Sequence, residues 1–127
     1  MIPENFKTLV DKLVEKTSRK EAVWSKTSRD DEFKLDLGKG AITLDRWQNE
    51  ETNEQLVDLA VLNENGDKID YIYFSYSEKE DFKYLTDLHS LAKRAYYKVD
   101  ETFKLIFKEL DSDKTIGTKN EQDNLPF

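Results

Sequence analysis

Within a strongly acidic chain, residues 93 to 98 read Lys-Arg-Ala-Tyr-Tyr-Lys, a basic and aromatic run. In a helix, His89, Lys93 and Tyr97 stand at i, i+4 and i+8 with Arg94 and Lys98 in the adjacent row, so cations and phenols share one side. That side suits a small anionic aromatic ligand, its phosphates on the cations and its base against a ring. The competing reading is structural: Lys93, Arg94 and Lys98 pair with carboxylates such as Glu101, and the tyrosines fill the seam against a sheet. His89 is the one histidine, and on a helical stripe a packed or rim role competes with that of a base. Arg46-Trp47 is a second anchor, because arginine beside an aromatic is common among the residues that dominate protein interfaces.

Catalytic constellations are missing from the chain. No Gly-x-Ser-x-Gly elbow exists to pair with His89. Gly38-Lys39-Gly40 has the composition of a phosphate loop, but it joins two strands rather than a strand and a helix N-terminus, so turn chemistry is its role. Asp30-Asp31-Glu32 and Asp111-x-Asp113 lack the spacing of a calcium loop. An enzyme reading falls back on carboxylates such as Asp45 or Asp58 with a metal. With no cysteine, the chain has no thiol nucleophile, thiolate metal site or disulfide. The expectation is therefore a protein that is not an enzyme, with no cofactor and no metal site.

The elements that must position these residues follow from length and patterning. A chain of 127 residues fits a single domain, and seven Phe, six Tyr and two Trp supply bulky core material. The net charge of -7 repels phosphate backbones and anionic membranes, which argues against nucleic-acid polymers and membranes as partners. Mimicry of nucleic acid fits poorly, since the carboxylate pairs sit beside lysines. Neither a leader-like start nor an apolar run of about 20 residues is present, and the expected compartment is a reducing cytoplasm.

Pro3 and the spacing of Phe6, Leu9, Val10, Leu13 and Val14 predict a helix over about residues 3 to 17. A short strand is expected around 22 to 26. Alternation from Phe33 to Leu37, a turn at Gly38-Lys39-Gly40 built on positive φ, and a second arm from 41 to 48 make a hairpin. Asn65-Gly66 marks another hairpin between 55–63 and 68–76. The final strand is apolar or aromatic on both faces, so it is expected at the centre of the sheet or under a partner. Ser77 and Glu80 have capping-box spacing, and apolar positions then run to Leu110, predicting a helix of about 30 residues and about 45 Å. Its stripe reads as heptads, with Phe82, His89, Tyr96, Phe103 and Leu110 at one position and Leu85, Ala92, Val99 and Ile106 at the other. That pattern predicts self-association through residues such as Tyr96 and Phe103; the alternative is a break near Asp100. Residues 111 to 127 read as a polar tail on a domain of 1 to 110.

The order of features over about residues 6 to 110 resembles small α+β proteins of bacteria and their phages. The resemblance is carried by Lys16-Thr17, the segment Trp24 to Thr27, Glu32-Phe33, the Asn65-Gly66 hairpin, Leu88 to Arg94, and Asp100-Glu101. It implies an α+β fold of N-terminal helix, four- to five-stranded antiparallel meander and long C-terminal helix. That family brings no settled activity, so no functional residue transfers. Its phage setting implies counter-defence, including oligomeric proteins that sequester nucleotide signals. The function expected is that of a non-catalytic homo-oligomer capturing a small anionic, nucleotide-like ligand. The alternatives are a module binding a host protein and a carboxylate enzyme.

Overall fold

The computed structural model describes residues 2–117. Helix α1 (Glu4–Ser18) leads into β1 (Ser25–Lys26), β2 (Glu32–Leu37), β3 (Gly40–Gln48), β4 (Gln55–Leu62) and β5 (Lys68–Ser75). Helices α2 (Lys79–Tyr96) and α3 (Val99–Leu110) follow. The strands form one antiparallel sheet in the order β1-β2-β3-β4-β5, the meander that successive short turns produce.

Pairing register separates the two faces. Phe33, Leu44 and Leu59 stand opposite one another across β2, β3 and β4, as do Leu35, Ile42 and Val61, and Val57 faces Phe74. These residues join Phe6, Val10 and Leu13 of α1 and Phe82, Leu85, Leu88 and Ala92 of α2 in one core. Trp24 completes it from the α1–β1 connection, its indole N–H donating to Thr17 Oγ1 at 3.1 Å. The other face carries a row of Lys34, Thr43, Ala60 and Tyr71 and a row of Glu32, Asp45, Asp58 and Tyr73. Helices α1 and α2 bury their side chains on the first face.

Several expectations are corrected. β5 is not central: it is the last strand of a meander, among the described residues nothing pairs its outer edge, and Tyr71 and Tyr73 are 52% and 57% exposed. The first strand shrinks to two residues. Ser77 does not cap α2; Glu78 holds the N-cap position, and its carboxylate accepts from the Ser75 backbone N–H at 3.1 Å. In the first hairpin neither Gly38 nor Gly40 takes a left-handed φ. Gly40 answers instead to close approach, since a Cβ there would lie 2.5 Å from the Leu62 carbonyl oxygen. The Asn65-Gly66 turn does use positive φ, at 87°.

The long C-terminal rod divides in two. Lys98 takes φ 53° and ψ 47°, a left-handed conformation that no α-helix continues through, and the Lys98 N–H closes on the Ala95 carbonyl. Asp100 then accepts from Arg94 at 2.9 Å and Lys20 at 3.0 Å, which ties the bend to the end of α1. The break falls two residues before the Asp100 position that the sequence offers as the alternative. Residues 111 to 117 are exposed turns and bends, and the rest of the expected tail, with Leu125-Pro126-Phe127, lies outside the described residues.

Candidate functional site

The end of α2 gathers most of the residues singled out in the sequence, but not on one open surface. His89 is 2% exposed. Its Nε2 lies 2.7 Å from the Asp31 backbone carbonyl, which only accepts, so Nε2 carries the proton. The ring meets Phe33 edge-on with centroids 5.5 Å apart. Tyr96 and Tyr97 pack on the same Phe33, at 5.6 and 6.2 Å, and on each other at 4.8 Å. These four rings close the seam between α2 and β2, the structural reading of the tyrosines.

The cations divide between two directions. Lys93, one turn after His89, donates to Asp31 Oδ1 at 3.0 Å. Arg94 turns the other way to Asp100, whose pKa falls below the usual carboxylate value because Lys20 and Arg94 hydrogen-bond to it. Lys20 also reaches Glu101 at 3.2 Å, and the two carboxylates raise its pKa. Among the described residues Lys98 makes no ion pair. Tyr97, the C-cap of α2, still completes the i, i+4, i+8 row, its N–H closing on the Lys93 carbonyl at 3.0 Å, whereas the left-handed turn at Lys98 ends the adjacent row at Arg94. Lys98 borders a cleft of about 190 Å³ with Lys20, Trp24 and Tyr96 instead.

Arg46 and Trp47 are consecutive on β3 and so point to opposite faces. The guanidinium of Arg46 lies 5.5 Å from the Phe82 ring centroid, while Trp47 stands opposite Leu56 on the open face. Phe103 belongs to α3, 50% exposed and 5.8 Å from Phe107.

Two arrangements were only partly legible in the sequence. The first is the carboxylate row of the open face. Asp45 is buried and receives Arg29 Nε at 2.7 Å, and this contact raises the arginine's pKa. Asp58 stands opposite Asp45, and desolvation pushes its pKa up to about 6. Among the described residues no group of three or more His, Cys, Asp or Glu is placed to hold a metal. The strand spacing that aligns Asp45 with Asp58 depends on loop length, and neither residue is flanked by a motif that announces it.

The second is α3. None of its residues is buried, and Phe103, Leu105, Ile106, Phe107 and Leu110 are between 44% and 67% exposed. The heptad pattern did announce an apolar stripe here. It did not announce that the bend at Lys98 would carry this stripe off the sheet.

No family model, curated protein or solved structure matches the chain, so the resemblance to small bacterial and phage proteins rests on its short motifs. No helix among the described residues is long and apolar enough to cross a membrane.

Proposed function

We propose that this protein is a non-catalytic interaction module whose contact element is α3, a helix held out from the body to be covered by another polypeptide. One observation carries the reading: twelve helical residues bear five large apolar side chains and bury none of them. Monomeric proteins rarely leave contiguous apolar patches of more than a few hundred Å² in water, and larger ones mark contact sites. The clamp of Lys20 and Arg94 on Asp100 supports it, because it holds the root of the helix in place before any partner arrives.

The test is a photo-activatable residue at Phe103 in the full chain, illuminated inside cells. The expected result is a covalent adduct with a polypeptide, with the same residue at Lys12 on the outer side of α1 giving none. No adduct from Phe103 or from Ile106 would remove the reading.

Capture of a small anionic ligand is the second reading, and what favours it is that Lys98, free of ion pairs among the described residues, borders one cleft with Trp24, Tyr96 and the Lys20–Glu101 pair. In that form the protein would hold a nucleotide rather than turn it over, as a counter-defence sponge does. Calorimetry with mono- and dinucleotides should then give heat that Lys98→Glu removes; silence with all of them ends it.

A further inference from the structure

We propose that the polypeptide covering α3 is α3 of a second copy, the two helices lying antiparallel across a two-fold axis. This rests on the reading of α3 as a contact element. An isolated helix of about 12–15 residues or fewer is marginal in water, and among the described residues α3 has no side chain fully buried. Its apolar face therefore needs a cover to hold the helix.

The spacing of that face fits its own copy. Val99, Phe103, Ile106 and Leu110 follow one another at intervals of four, three and four, the seam of a coiled coil. Antiparallel pairing sets Val99 against Leu110 of the second copy and Phe103 against Ile106 of the second copy, and the two-fold axis repeats both layers. Beside the seam, Asp100 meets Phe107 of the second copy and Thr102 meets Glu109, so no like charges face one another. Each helix has Asp100 and Glu101 in its first turn and Lys108 in its last. Antiparallel packing opposes the two helix dipoles; the last turn carries Glu109 and is followed by Asp111 as well as holding Lys108, so the dipoles rather than the side-chain charges favour this orientation.

The available area is also sufficient. A large side chain offers about 200 Å² when fully exposed, so Phe103, Ile106, Phe107 and Leu110 together present about 400 Å². Val23, 89% exposed, and the half-exposed Tyr96 and Tyr97 add about 300 Å² at the root of the helix, where the far end of the second copy's α3 would lie. With all of that surface covered, two copies would bury at most about 1,400 Å², within the range of about 1,200–2,000 Å² for stable specific complexes. Of the two edge strands, β1 has only two residues, and β5 carries Lys68 and Asp70 and adjoins an irregularity at Val61/Leu62, features that oppose edge-to-edge pairing.

Sedimentation equilibrium of the full chain at micromolar concentration should give twice its 15.0 kDa. Ile106→Glu should return the single-chain mass with the melting of the body unchanged, and Leu105→Glu, off the seam, should leave the dimer intact. Because the chain has no cysteine, a Val99→Cys chain mixed with a Leu110→Cys chain should form a mixed disulfide on oxidation, and Val99→Cys alone should form none. A single-chain mass at every concentration, a dimer that survives Ile106→Glu, or a Val99→Cys chain linked to itself would each overturn the proposal. A single-chain mass with a Phe103 adduct to a different protein removes only the second copy as occupant. A single-chain mass with no adduct removes the contact-element reading as well.

Discussion

Replacing Asp58 by Asn tests whether the open face of the sheet holds a carboxylate against its preference for water. Asp58 lies between Asp45 and Tyr73 in a row across β3, β4 and β5. Desolvation is the main cause that lifts its pKa from 3.8 to about 6; Lys68 opposes the rise, and Asp45 and Glu32 add to it. An acid with a folded pKa above its unfolded value binds its proton more tightly in the folded state. The penalty is therefore fully present above about pH 6 and is relieved as the pH falls toward 4. A shift of this size corresponds to about 3 kcal/mol at neutral pH, and partial access to solvent reduces it to about 2. Between about pH 7.5 and pH 5 the parent protein should gain about 0.9 kcal/mol from this group, or roughly 3 °C in melting temperature. Asn keeps the shape and removes the charge, so Asp58→Asn should be about 2 kcal/mol more stable at neutral pH and should lose that part of the pH dependence. Urea titrations of both proteins at the two pH values measure the difference, with all other titrating groups cancelling between them. An Asp58→Asn protein with the parent's pH slope, or one less stable at neutral pH, refutes the argument.

Three further perturbations probe the same framework. His89→Leu retains bulk but leaves the Asp31 carbonyl without its buried donor, so chemical denaturation should show a loss of about 1–3 kcal/mol; a variant as stable as its parent would mean that His89 is not part of the core. Gly40→Ala places a methyl group against the Leu62 carbonyl and must push β3 and β4 apart, at a cost of about 1–3 kcal/mol; a neutral effect in the same assay would contradict the close approach. Lys98→Gly should stabilise by about 0.5–1 kcal/mol, because glycine accepts the left-handed φ without a Cβ clash. In an unbroken helix the same change would cost about 1 kcal/mol, so the sign of the shift in thermal melting reports the bend.

The fold was largely legible because its signals are local. Phe6 to Val14 at helical spacing, the alternation of Phe33 to Leu37, and the Asn65-Gly66 turn each depend on residues within a few positions of one another. A meander needs no long-range decision beyond those turns. The boundaries that went astray involve competition between local options: Ser77 could cap α2, but Glu78 takes the place and spends its carboxylate on the Ser75 N–H. The glycines of the first hairpin read as positive-φ residues, whereas Gly40 is demanded by the passing Leu62 backbone on a strand that is distant in sequence.

The candidate site was less legible, because a helical row says which side chains are neighbours and not which way the row faces. Lys93, Arg94, Tyr96 and Tyr97 do sit together at the end of α2, as their spacing requires. Asp31 and Asp100, contributed by a turn and by the next helix, decide where the cations go. His89 looked identical as a ligand or a core residue until the Asp31 carbonyl and Phe33 closed around it.

By itself the sequence determined an acidic, cysteine-free α+β chain, its helix–meander–helix order, and an apolar stripe that runs to Leu110. Only the tertiary structure decided that β5 lies at the edge, that Asp45 and Asp58 stand side by side on an open face, and that the stripe leaves the core at Lys98. Propensity and periodicity act over one or two turns of chain. Sheet register, burial and the direction of a helix after a bend are set by contacts between residues far apart in sequence.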